Sequence, residues 1–157
     1  MANLSGAFSA QSARRLHSAR PADARREAAR AVRALPVADA LLDGEAVVFR
    51  PDGHSDFAAL RTKRGAAEAS FVAFDLLHGE DRRSLALEIR RAELECLIAG
   101  LDAIRFSEAI DAEGAVVFAK ACEMGLEGIV SKRLGGSYWS GRSRNWLKVK
   151  NPAFQRR

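Results

Sequence analysis

The sequence predicts an α+β fold built mainly on antiparallel sheet. Five short apolar runs with strand character are interspersed with helix-length segments. Their spacing lacks the regular strand–helix–strand alternation of a parallel doubly wound domain. The chain has 157 residues, 48% hydrophobic and 29% charged, which suits one ordinary domain or a piece of a larger one and excludes wholesale disorder.

Residues 1–36 read as an Ala/Arg-rich leader, helical or disordered. Seven arginines in residues 1–35 face only Asp23 and Glu27, a local excess of five positive charges. No continuous apolar run follows, so this is not a secretory signal, although an Arg-rich, acid-poor opening has some likeness to an organelle transit peptide. Residues 22–35 favour helix by propensity, with Pro21 near the start and Pro36 at the end.

The ordered part begins near residue 37. Residues 41–49 read as a strand with a polar interruption at Asp43-Gly44-Glu45, and Pro51-Asp52-Gly53 turns the chain. Asp56 is placed to cap a short helix through Leu60 and Arg61. Residues 70–77 give a second strand. Residues 84–100 give a helix with Leu85, Leu87, Ile89, Leu94, Leu97 and Ile98 as its apolar positions. Residues 104–107 give a short strand, and residues 111–124 a further helix that Gly125 ends. Residues 128–132 and 146–150 are two more strands, flanking a turn-rich segment at 134–145.

Composition narrows the chemistry. Lys plus Arg is 25 against 20 for Asp plus Glu, a net charge of +5 that fits an anionic partner such as nucleic acid or nucleotide. Only Lys63, Lys120, Lys132, Lys148 and Lys150 are lysines. Arginine keeps its proton at any working pH, so nucleophilic amine chemistry must come from those five. Cys96 and Cys122 sit among apolar residues and read as buried, inert thiols. His17, His54 and His78 are scattered without metal-ligand spacing. No run of eighteen apolar residues exists, so a membrane span is excluded and a cytoplasmic chain is expected.

Charged residues on apolar strands carry the functional signal. Asp43 and Glu45 lie two apart, so in an unbroken strand they share a face. Like charges on one face need a cation or a donor between them. Glu127 heads the strand at Gly128. Lys148 and Lys150 alternate with Leu147 and Val149, placing two ammonium groups on one face. Carboxylates and paired lysines in one small sheet domain suit Mg²⁺ plus a polyphosphate. For any one pair alone, a solvated strand face is the competing reading. Phe74 could stack on a base or pack in the core, and Trp146 carries the same ambiguity.

Four motifs occur in order: Asp43-Gly44-Glu45, Phe74-Asp75-Leu76-Leu77, Glu127-Gly128-Ile129-Val130-Ser131-Lys132 and Trp146-Leu147-Lys148-Val149-Lys150. Together, with Gly141-Arg142-Ser143-Arg144 before the last, they resemble the nucleotidyltransferase (adenylation) domain of ATP-dependent DNA ligases, closest to the bacterial repair type. The resemblance covers roughly residues 37–152, within a partial domain at 37–157. It implies an ATP-grasp-like ligase core, incomplete at the N-terminus. It also implies ATP and Mg²⁺ or Mn²⁺ as cofactors and nicked double-stranded DNA as partner. The implied activity is adenylyl transfer and nick sealing in DNA repair or recombination.

By the same resemblance Glu45 contacts the ribose and Phe74 stacks on adenine. Glu127 serves the divalent metal, with Asp43 supporting the metal region. Lys148 and Lys150 contact the α-phosphate and neutralise charge in the transition state. Two features depart from the family pattern. Residues 1–42 contain no lysine and no Asp-Gly pair, so the nucleophile's Lys-x-Asp-Gly motif is missing upstream of Asp43. The sequence ends at Arg157 without the oligonucleotide-binding barrel that follows in such ligases. The resemblance therefore implies impaired activity unless a separate chain supplies the lysine segment. The alternative is a non-catalytic nucleotide- or DNA-binding remnant.

Overall fold

The computed structural model describes residues 6–10, 32–33, 35–37, 40–56, 58–78, 81–102 and 104–154, with backbone alone at 6–10 and 78. The described residues form two three-stranded sheets. The first has the order β1-β5-β6, from β1 (Gly6–Ala10), β5 (Gly128–Arg133) and β6 (Trp146–Lys150). The second has the order β2-β3-β4, from β2 (Leu41–Val47), β3 (Ser70–His78) and β4 (Ile104–Phe106). Helix α1 (Lys63–Ala67) follows a 3₁₀ turn at Ala59–Arg61, α2 (Leu87–Ile98) joins β3 to β4, and α3 (Gly114–Glu123) precedes β5.

This is the α+β class that the sequence predicts, with one parallel seam. β1–β5, β5–β6 and β2–β3 pair antiparallel, whereas β3 and β4 are parallel. The cause is the connection: α2 carries the chain back across the sheet, and a crossover helix returns the next strand in the same direction.

The leader differs from expectation at Gly6–Ala10, which pairs with Ile129–Arg133 as an edge strand of the first sheet. Gly-Ala-Phe-Ser-Ala has little intrinsic strand preference, and its conformation is set by the unpaired edge that β5 offers. Most of the predicted helix at 22–35 lies outside the described residues. Val32 and Arg33 are helical, and Leu35 is buried against the second sheet's core.

That core lies between β3 and α2. Phe71, Ala73 and Leu76 from β3 meet Leu94 and Ile98 from α2 and Ile104 from β4. Leu87, Arg90, Leu94 and Ile98 are the buried residues of α2, at spacings of three and four. Cys96 falls off that stripe and is exposed, and Cys122 is half-buried, so the expectation of two buried thiols is corrected. On the first sheet, Ile129 packs with Val117 and Ala121 of α3.

Two local signals work as read from the sequence. The Asp56 carboxylate accepts from the Ala59 amide at 3.0 Å and starts the 3₁₀ turn. Gly125 takes a left-handed φ of 66° just after α3. Helix α1 has no counterpart among the sequence-based expectations. It depends on Thr62, whose hydroxyl accepts from the Gly65 amide at 3.0 Å.

Candidate functional site

The site is assembled where the two sheets face each other. In the first sheet the register pairs Gly128 with Lys150, Val130 with Lys148, and Lys132 with Trp146. Strand alternation puts these six residues on one face, opposite the Ile129–Val149 face that packs on α3. Three of the chain's five lysines therefore share one two-stranded surface.

Glu127 stands at the entrance to β5 and is buried. Its Oε1 accepts from Lys148 Nζ at 3.2 Å. Its backbone carbonyl accepts from the Asn151 amide at 2.8 Å, and Asn151 Nδ2 donates to the Leu126 carbonyl at 3.0 Å. The end of β6 thus holds the turn that presents the carboxylate. Gly128 follows with φ 149°, and a Cβ there would collide with the Val149 carbonyl, so the position leaves no room for a side chain. Lys150 is exposed at the end of β6.

From the second sheet comes Phe74, buried, its ring edge-on to Trp146 with centroids 5.9 Å apart and planes at 75°. Trp146 meets Tyr138 in the same way at 5.7 Å. The Tyr138 hydroxyl donates to Asp43 Oδ2 at 3.0 Å. A chain of rings therefore links Phe74 on β3 to Asp43 on β2 through the loop before β6. Glu45 is half-buried on β2, opposite Val72. The register passes from Asp43–Asp75 to Gly44–Ala73 and skips Phe74, a bulge on β3, while β2 itself runs without a skipped residue through Asp43 and Glu45. Gly44 fits there because a Cβ would lie 2.6 Å from both the Phe71 ring and the Val72 carbonyl.

Lys132 closes the Glu127–Lys132 motif, and the sequence alone assigns it no role. Its side chain is 3% exposed, and Nζ lies 4.1 Å from the centroid of Phe74 and 4.3 Å from that of Trp146. Nζ has no hydrogen-bond partner among the described residues. Burial pushes this amine down to about 8. The carboxylates of Asp75 and Asp43 oppose that shift, while Arg91 and Arg90 add to it.

The loop between β5 and β6 ties the first sheet to α2. The Glu88 carboxylate accepts from the Gly135 amide at 2.8 Å, the Arg83 carbonyl accepts from the Tyr138 amide at 2.8 Å, and Arg90 donates to the Gly136 carbonyl at 3.1 Å. Tyr138 and Arg90 were also missed from the sequence, because their partners are 95 and 46 residues away.

Among the described residues no group of three or more His, Cys, Asp or Glu is placed to hold a metal ion. Glu127 offers one carboxylate beside a lysine. That suits a Mg²⁺ bound by a single protein carboxylate, water and substrate phosphates, and does not suit an all-protein cage. Among the described residues no helix is long and apolar enough to cross a membrane.

Residues 8–150 match the family described as ATP dependent DNA ligase domain. The chain is 46% identical over 116 residues to the multifunctional non-homologous end joining protein LigD of Pseudomonas aeruginosa, covering 69% of this chain and 14% of that protein. It is 39% identical over 134 residues to a probable DNA ligase of Sorangium cellulosum, covering 76% of this chain and 25% of that one. The crystal structure of the ligase domain from M. tuberculosis LigD superposes with a TM-score of 0.60 at 32% identity, covering 71% of this chain and 37% of that one. A mycobacterial DNA ligase D complexed with ATP and MES gives the same TM-score of 0.60 at 33% identity, covering 71% of this chain and 38% of that chain. The chain thus spans about a quarter or less of the two curated relatives and under two fifths of these two solved structures. It belongs to the ATP-dependent DNA ligase domain family.

Proposed function

We propose that this chain is the nucleotide-binding core of a DNA ligase machinery that transfers adenylate and seals nicks in DNA. The observation that carries this reading is the meeting of the two sheets. It sets the aromatic ring of Phe74 beside a face bearing Lys132, Lys148 and Lys150, with the Glu127 carboxylate at its edge. A flat apolar surface next to clustered ammonium groups suits a nucleotide, base on one side and phosphates on the other.

In this reading Phe74 stacks on adenine and Glu45 meets the ribose. Lys148 and Lys150 neutralise charge at the α-phosphate. Glu127, with Asp43 in support, serves Mg²⁺ or Mn²⁺, which would screen the phosphate charge. The family's ATP dependence and the relative solved with ATP support ATP as the nucleotide. Nicked double-stranded DNA is the proposed macromolecular partner, and the cytoplasm the proposed compartment.

Self-adenylylation needs a nucleophilic lysine, and residues 1–42 hold none. Arginine cannot replace it, because its guanidinium stays protonated. We place the role of these residues in binding ATP and DNA, with the acceptor amine supplied by a separate Lys-x-Asp-Gly segment. The test is the intact mass of the purified chain after incubation with ATP and Mg²⁺, alongside ATP titrations of wild type and Phe74→Ala. The expected result is ATP binding that depends on Phe74, with an unchanged mass. An adenylate adduct would show that a lysine already on this chain accepts the nucleotide.

A further inference from the structure

The face of Phe74 that a purine would need is already taken. An ammonium sits 4.1 Å above that ring, and the Trp146 ring closes the same space edge-on at 5.9 Å. Phe74 is only 7% exposed. The ammonium belongs to Lys132, which is fixed to the neighbouring strand by its pairing with Trp146. The ammonium also lies 4.3 Å from the Trp146 centroid, and no described aromatic side chain besides these two has a lysine ammonium over its ring.

A cation held over two ring faces in a water-poor site is an attractive contact. It is nevertheless an incomplete one, because none of the Nζ donors has a hydrogen-bond acceptor among the described residues. A buried donor group left unsatisfied in this way carries a free-energy cost that leaving the site would relieve. Around it stand Asp43 on β2, Asp75 on β3 and Arg90 and Arg91 on α2, so opposing charges act on it and none bonds to Nζ.

We propose that Lys132 is a built-in competitor for the purine site, its ammonium parked on Phe74 and Trp146 in place of the base. A base enters only by moving the lysine side chain off both rings. The binding of an uncharged nucleoside therefore bears the full cost of displacement, with no phosphate to attract the released ammonium. This inference rests on the reading that Phe74 is the base-stacking surface.

Adenosine is accordingly the discriminating probe, since it carries the base without phosphates. Replacing Trp139 by Phe leaves Trp146 as the chain's only tryptophan and a reporter at the site. In that full-length background, adenosine and ATP are titrated against the parent, Lys132→Ala, Lys132→Met and Phe74→Ala, with circular dichroism confirming the fold. Removing the cation from both rings is expected to tighten adenosine binding by about tenfold. Lys132→Met, which keeps the bulk and drops the charge, should fall between parent and Lys132→Ala. If ATP binds the parent and Phe74→Ala abolishes it, but neither Lys132 variant tightens adenosine, the competitor role is wrong and the base-stacking reading survives. If Phe74→Ala leaves ATP binding intact, or ATP does not bind at all, both fall together.

Discussion

Arg90 grips Asp75 with two parallel bonds, Nε to Oδ1 at 2.7 Å and Nη2 to Oδ2 at 2.9 Å, and both side chains are fully buried. The same guanidinium donates to the carbonyls of Leu85 and Gly136. One arginine thus ties the central strand of the second sheet, the start of α2 and the loop leading to β6. The aspartate of Phe74-Asp75-Leu76-Leu77 has a structural task, while its neighbour Phe74 faces the site.

Breaking that pair from one side leaves an uncompensated buried charge. Asp75→Ala or Arg90→Met alone should destabilise the chain by about 3–5 kcal/mol, read as a lowered urea midpoint. Replacing both with apolar residues should restore most of the loss, because desolvating two ions offsets much of their attraction. A double variant as unstable as the worse single would contradict this account.

The strands around the site were legible because their apolar runs are bounded by clear turn signals, as at Pro51-Asp52-Gly53 and Gly125. The lysine face was half legible. Lys148 and Lys150 share a strand, but Lys132 joins them only through the β5–β6 register, which no local pattern reveals. Gly6–Ala10 was illegible for a similar reason, since its partner strand lies more than a hundred residues away. The bulge on β3 at Phe74 was not legible, because a skipped residue leaves no compositional mark in so short a strand.

The Tyr138 hydroxyl ties the loop before β6 to β2 through its 3.0 Å bond to Asp43. Tyr138→Phe keeps the ring against Trp146 and removes that bond. It should cost about 1 kcal/mol of stability. Its larger effect should be on Asp43, whose carboxylate loses a fixed donor. Nucleotide affinity in the presence of Mg²⁺ should therefore weaken more than affinity without it. Equal weakening in both conditions would show that Asp43 has no part in holding the metal.

Gly128 is constrained twice, by its φ of 149° and by the Val149 carbonyl, which occupies the space a Cβ would need. Gly128→Ala should cost about 1–3 kcal/mol from backbone strain alone, with further loss as β5 moves off β6. That displacement carries Glu127 away from Lys148. The variant should lose nucleotide binding at temperatures where it remains folded by circular dichroism. Wild-type binding in Gly128→Ala would separate the turn from the site.

Arg142 and Arg144 are exposed in the loop before β6, the strand that carries Lys148 and Lys150. If they contact DNA phosphates, affinity for a nicked duplex should fall steeply with salt. Each Arg→Gln replacement should flatten the slope of log K against log salt by about 1. A nicked-duplex affinity that is flat between low and moderate salt would remove phosphate contact from the account of this chain.

Lys132 also leaves a signature in stability. Its amine titrates at about 8 in the folded chain, against the ordinary lysine value of 10.5. Below pH 8 both the folded and the unfolded chain carry the proton, and the cost of burying the charge is fully present. Between about 8 and 10.5 the unfolded chain binds more protons than the folded one, so this residue's contribution to stability rises with pH across that window. The full swing is about 3 kcal/mol at 1.4 kcal/mol per pH unit. Lys132→Met removes the charge and the dependence. The variant should therefore be more stable than wild type at pH 7, by somewhat less than that swing because the ring contacts of the cation are lost. Its advantage should shrink steadily from pH 8 to pH 10 in parallel urea titrations. Comparing the two proteins at each pH cancels the titration of every other group they share. A constant difference across that range would mean that the Lys132 ammonium is not buried against Phe74 and Trp146 in solution.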